Sequence, residues 1–131
     1  MSKLRILSVD DEGSFTELLE QYFSPRDYAI DVASDGAEGL RLLKSKEYDV
    51  VLLDLRMVGI NGDEVMRQIK SYNDNIKIIF VTAYADAGRT KERLIKEGAY
   101  AYVEKPLSSL KDLEALVNEA VGNELNNSKI T

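Results

Sequence analysis

Asp49-Val50-Val51-Leu52-Leu53-Asp54 is an unbroken aliphatic run that ends in a carboxylate, and the glycine-containing segment Leu55-Arg56-Met57-Val58-Gly59-Ile60-Asn61-Gly62 follows it. Successive side chains of a strand point to opposite faces, so four consecutive aliphatics do not suit a sheet with one wet side. They suit a central parallel strand covered by helices on both faces. In such sheets functional groups gather beyond the carboxyl ends of the strands, which is where Asp54 falls. Two other runs end in the same way. Leu4-Arg5-Ile6-Leu7-Ser8-Val9 leads into Asp10-Asp11, and Ile76-Lys77-Ile78-Ile79-Phe80-Val81 leads into Thr82. The three endings are expected to converge on one acidic pocket.

Working outward from that strand, helical and extended patterns alternate. Phe15, Leu18, Leu19, Tyr22 and Phe23 recur at helical spacing, and Ser24-Pro25 is expected to stop that helix. Tyr28 to Ala33 alternates as a strand. Ser34-Asp35-Gly36 turns the chain and offers an N-cap to a helix over residues 37–46 that would bury Ala37, Leu40 and Leu43. A third helix, from Asp63, carries Val65, Met66 and Ile69 inward. A fourth, over residues 89–97, offers only Leu94 and Ile95 as core residues. Its pattern is the weakest, which marks it as the element expected to move. Tyr100 to Glu104 is a short strand ended by Lys105-Pro106, and a last helix over residues 109–121 would bury Leu110, Leu113, Leu116, Val117 and Val121.

Five strands alternating with five helices imply an α/β fold, a doubly wound five-stranded parallel sheet with right-handed crossovers. One domain over residues 4–122 is the expectation for 131 residues. Residues 123–131 are polar and patternless, and are expected to be a frayed tail or the start of a linker.

The chain contains no Cys and no His. That excludes disulfides, thiolate metal sites, imidazole-ligated zinc and a Ser-His-Asp triad. A formal net charge of −6 argues against direct contact with nucleic acid, which needs a basic patch. No apolar run approaches the ~20 residues of a membrane span, so the expected setting is the cytoplasm, away from the membrane.

Each strand-end residue has an ordinary explanation. Asp10, Asp11 and Glu12 can be acids at a helix N-terminus, and Glu12 is assigned to that role. Thr82 can bond its own backbone, and a lone Lys105 is usually a surface residue. Taken together, Asp10, Asp11 and Asp54 form an acidic group that repels itself unless a cation neutralises it. An oxygen-only site with few protein ligands suits Mg²⁺. Aspartate is a known nucleophile for an acyl phosphate, Thr82 can donate to a phosphoryl oxygen, and Lys105 can reach the same pocket as a point charge. Met57, Gly59 and Gly62 are read as loop packing and turn geometry.

Asp10-Asp11, Asp54 with Met57 and Gly62 behind it, Thr82-Ala83, and Tyr102-Val103-Glu104-Lys105-Pro106 together resemble the receiver domain of two-component response regulators, a flavodoxin-like (βα)5 fold. The resemblance runs from Leu4 to Val121. It implies that Asp54 is the phosphoacceptor. Asp10 and Asp11 would organise Mg²⁺, with Asp11, Asp54 and the backbone carbonyl of Arg56 as its ligands. Lys105 would pair with the phosphoryl group across a cis Lys105-Pro106 bond, and Thr82 and Tyr102 would form a switch pair. One departure is Val58, where the family usually has proline.

The resemblance also implies partners. A sensor histidine kinase would supply the phosphoryl group. An output domain or downstream protein would read the face made by the fourth helix, fifth strand and last helix, and phosphorylation-dependent homodimerisation stays open. Such a domain takes the phosphoryl group from a donor and loses it slowly, without being a multiple-turnover enzyme. Three other readings stay open: a Mg²⁺-dependent phosphotransferase or phosphatase, a docking module that is never phosphorylated, and a flavodoxin-like cofactor carrier. The complete set of residues argues against the second, and acidic strand ends argue against the third.

Overall fold

The computed structural model describes residues 3–122. In chain order the elements are β1 (Leu4–Val9), α1 (Gly13–Phe23), β2 (Tyr28–Ala33), α2 (Gly36–Ser45), β3 (Val50–Leu53), α3 (Gly62–Tyr72), β4 (Lys77–Thr82), α4 (Arg89–Lys96), β5 (Ala101–Glu104) and α5 (Leu110–Ala120). The five strands form one parallel sheet in the order β2-β1-β3-β4-β5. The expected doubly wound sheet is therefore the observed one. The tail expected over residues 123–131 lies outside the described residues.

All four residues of β3 are buried, because helices cover both faces of the sheet. Val51 and Leu53 join Leu7, Val9, Ile78 and Phe80 under α2, α3 and α4. Val50 and Leu52 join Ile6, Ile79 and Val81 under α1 and α5. At roughly 1.5–3 kcal/mol for each fully buried large aliphatic side chain, this central strand anchors the sheet.

The strands also carry their pairing past their ends. Asp54 N–H donates to the Val9 carbonyl at 3.0 Å, Asp10 N–H to Ala33 at 3.1 Å and Lys105 N–H to Thr82 at 2.8 Å. These bonds fix the backbone of Asp10, Asp54 and Lys105 where the side chains must meet. Gly62 holds the loop after β3 against the same edge. A Cβ there would overlap the Asp54 carbonyl oxygen and lie 2.9 Å from Leu55 Cα.

Several expected core positions differ. Ala37 is exposed; α2 instead presents Gly36 and Gly39, and a Cβ on either would meet Val65 or Val9 within 3 Å. The absence of side chains draws that face of the helix in. Leu18 is 45% exposed, because α1 buries the row of Thr16, Leu19 and Phe23 and leaves Leu18 on its flank. Ile95 is 38% exposed for the same reason, leaving Leu94 as the buried residue of α4. Ser24-Pro25 ends the first helix as expected, with Phe23 the last residue of α1. Pro25 sits in the first turn of a 3-10 segment, Ser24–Arg26, where its missing N–H costs nothing.

Candidate phosphoacceptor site

Asp10, Asp11 and Asp54 each place a carboxylate oxygen within 4.8 Å of the others. Asp10 and Asp54 are buried, and Asp11 is exposed. Burial pushes the Asp10 carboxyl above its ordinary value and the Asp54 charge adds to this, while a hydrogen bond from Glu12 N–H and the Lys105 ammonium pull the other way. Three oxygen donors of this kind fit a hard divalent cation such as Mg²⁺, which takes carboxylate oxygens and keeps part of its water. They do not fit a soft metal that selects thiolates.

Lys105 closes the pocket from the β5 side. Its Nζ donates to Asp10 Oδ2 at 3.0 Å and to Glu12 Oε1 at 2.8 Å, and it lies 4.2 Å from the centroid of the Phe15 ring. Burial alone would lower its proton affinity, but the Glu12 and Asp10 carboxylates outweigh it and hold the ammonium above the ordinary lysine value. The Lys105-Pro106 peptide bond is cis.

Thr82 is the last residue of β4, and its side chain is buried. Its Oγ1 accepts a hydrogen bond from Tyr84 N–H at 3.3 Å. Tyr102 is buried too, with its O–H donating to the Tyr84 carbonyl at 2.7 Å. Thr82 and Tyr102 are thus joined through the backbone of one residue. Burial, followed by the nearby Asp86 charge, pushes the Tyr102 phenol up to about 12.

Two relationships escape the sequence reading. Glu12 occupies the N-cap of α1, yet its side chain makes no capping bond and pairs with Lys105 instead. Its assignment as a helix N-terminal acid is corrected accordingly. Arg56 stacks its guanidinium 4.0 Å from the centroid of the Tyr84 ring. Each residue lies two positions beyond a strand-end residue, Asp54 or Thr82, and that matched offset was the available signal. Val58 stands out in the loop after β3, 83% exposed.

Residues 6–118 match the model of the response regulator receiver domain. The chain belongs to that family. It is 34% identical over 127 residues to the transcriptional regulatory protein ZraR of Klebsiella oxytoca, covering 96% of this chain and 28% of that protein. It is 36% identical over 113 residues to the response regulator ArlR of Staphylococcus saprophyticus, covering 86% and 49%. The chain therefore spans half or less of the length of these curated relatives. Among solved structures it resembles the response regulator TrrA of Thermotoga maritima in complex with Mg²⁺-BeF, at 38% identity and TM-score 0.78, covering 89% of this chain and 98% of that one. A receiver domain from Clostridium thermocellum matches at 28% identity and TM-score 0.82, covering 97% and 98%. The chain is thus a receiver domain of the two-component response regulators, with the flavodoxin-like fold of that family. Among the described residues no helix is long and apolar enough to cross a membrane.

Proposed function

We propose that this receiver is a phosphorylation switch in which Asp54 takes a phosphoryl group from the phosphohistidine of a sensor histidine kinase. The observation that carries the reading is the convergence of Asp10, Asp11 and Asp54 on one point, with the Lys105 ammonium already bonded to Asp10. An Asp54 carboxylate oxygen attacks phosphorus, an O–P bond forms, and the N–P bond of the donor breaks. The leaving imidazole nitrogen keeps the electron pair and takes up a proton. The chain has no His of its own, so the donor comes from outside.

Asp11, Asp54 and the Arg56 backbone carbonyl would hold Mg²⁺, with Asp10 supporting them. The similar protein TrrA was solved in complex with Mg²⁺-BeF, which supports Mg²⁺ as the cation. When bound, the cation neutralises the pocket so that an anionic acceptor and an anionic donor can approach. The phosphoryl group brings about −1.5 to −2 charges, which Lys105 and Thr82 bind. Drawing the Thr82 hydroxyl toward it competes with the Tyr84 N–H bond and biases the segment that leads to α4. Moving a resting population from 1:99 to 99:1 takes roughly 5.5 kcal/mol. A few charge-assisted contacts, plus a partner that prefers the active form, supply that. An attached output domain or a downstream protein then reads the face made by α4, β5 and α5. Slow loss of the phosphoryl group to water resets the switch, so the chain is not a multiple-turnover enzyme.

Intact mass after incubation with Mg²⁺ and acetyl phosphate tests the reading. One added phosphoryl group is expected, absent in Asp54→Asn and absent without Mg²⁺. Addition that persists in Asp54→Asn would move the acceptor elsewhere.

A further inference from the structure

The Lys105 ammonium is held by residues 10–15, between the end of β1 and the first turn of α1. Asp10, Glu12 and the face of Phe15 surround its ammonium, and its side chain is 13% exposed. Of the two carboxylates, Asp10 has other work. Its Oδ1 accepts from Glu12 N–H at 2.9 Å, and it belongs to the carboxylate group that a cation would claim. Glu12 has no such duty. It sits at the N-cap of α1 without capping it, and its side chain, 56% exposed, folds over to Lys105 at the shorter distance of 2.8 Å.

We propose that Glu12 is a positioning residue that parks Lys105 on the α1 side of the pocket and competes with a phosphoryl group on Asp54 for its ammonium. This rests on the reading of Asp54 as the phosphoacceptor. A mostly buried lysine does not trade one partner for water at little cost, so it moves to a phosphoryl group by exchanging Glu12 for it. Glu12 thereby sets how readily the pocket closes on the transferred group, without touching that group itself. The charge on Glu12 and its reach make separate contributions, and two variants divide them. Glu12→Gln removes the charge and the strong pairing. Glu12→Asp keeps the charge but shortens the arm, and aspartate at an N-cap bonds the first-turn amides of its own helix. Both take away the Glu12 partner and leave Lys105 with Asp10 alone.

The test is calorimetric titration with beryllofluoride, a phosphoryl mimic, at saturating Mg²⁺, with Mg²⁺ affinity measured separately. Both variants are expected to bind beryllofluoride roughly three- to fivefold more tightly than the parent, the size of a half-exposed ion pair. Two results would overturn the proposal: unchanged or weaker binding in both variants, or tighter binding in Glu12→Gln with Glu12→Asp at the parent value. The second would mean that only bare charge matters. A parent chain that binds Mg²⁺ but no beryllofluoride would remove the phosphoacceptor reading and this proposal with it, whereas a parent that binds while both variants match it removes this proposal alone.

Discussion

At the scale of single residues, the Arg56–Tyr84 stack is the feature with the clearest consequence. Arg56 lies two positions beyond Asp54 and Tyr84 two beyond Thr82, so the contact bridges the segments that follow β3 and β4. A guanidinium over an aromatic ring at a partly exposed site is worth about 0.5–1 kcal/mol, or a factor of roughly 2–5 in rate. Arg56→Ala and Tyr84→Ala are each expected to shorten the life of the phosphorylated state by about that factor. Because the two side chains touch, the double variant should lose less than the product of the two. Following loss of the phosphoryl mass with time checks this, and unchanged hydrolysis in the double variant would remove it. The residues that meet at the pocket were legible because each ends an apolar run, and parallel strands present such ends on one side. The pairing of Glu12 with Lys105 was not, since it joins positions 93 residues apart through a rotamer choice that no local pattern encodes.

At the scale of elements, α4 is the α-helix that buries the fewest residues, Leu94 alone. Its start is built with care. Ala87 and Gly88 are both left-handed, at φ 62° and 88°, and the Asp86 carboxylate accepts from Thr90 N–H at 3.0 Å and from Thr90 Oγ1 at 2.7 Å. Tyr84 links this cap to the site, since its backbone bonds both Thr82 and Tyr102. Removing the cap in Asp86→Ala should speed amide exchange in the first turn of α4 by roughly an order of magnitude, with α3 and α5 unaffected. The Thr90 backbone and hydroxyl bonds hold the Asp86 carboxyl below its ordinary value. A lowered value means that the cap is fully present above the ordinary carboxylate range near ~3.9 and lost as pH falls through the lowered one. First-turn protection that is identical in parent and variant at pH 7 would show that Asp86 does not hold α4. The sequence showed that this helix exists and is weakly anchored. It could not show that Ile95 lies outward, because one inward turn of an eight-residue helix leaves the rotation to packing.

At the scale of the whole molecule, the last helix is clamped to the first helix and the edge strand by a small polar network. Glu114 of α5 accepts from Tyr22 O–H at 2.8 Å and from Tyr28 O–H at 2.6 Å, and Asn118 donates to the Tyr28 oxygen at 2.8 Å. Tyr28 is buried. Burial first, then the bond to the Glu114 carboxylate, pushes its phenol up to about 12. The folded value lies above the ordinary ~10, so the clamp's contribution is fully present below pH ~10 and is lost as pH rises through about 12. Tyr28→Phe deletes the ionising group together with its bonds. At pH 7 the variant should be less stable by about 1–3 kcal/mol, for the loss of one hydrogen bond to a carboxylate and one from an amide. That gap should shrink steadily between pH 10 and 12, as the parent gives up what the variant never had. Urea unfolding of both proteins at pH 7 and near pH 11.5 measures it. A gap that stays constant across that range would mean that ionisation of the Tyr28 hydroxyl does not release its bonds, and that the α5 clamp is not what alkali releases.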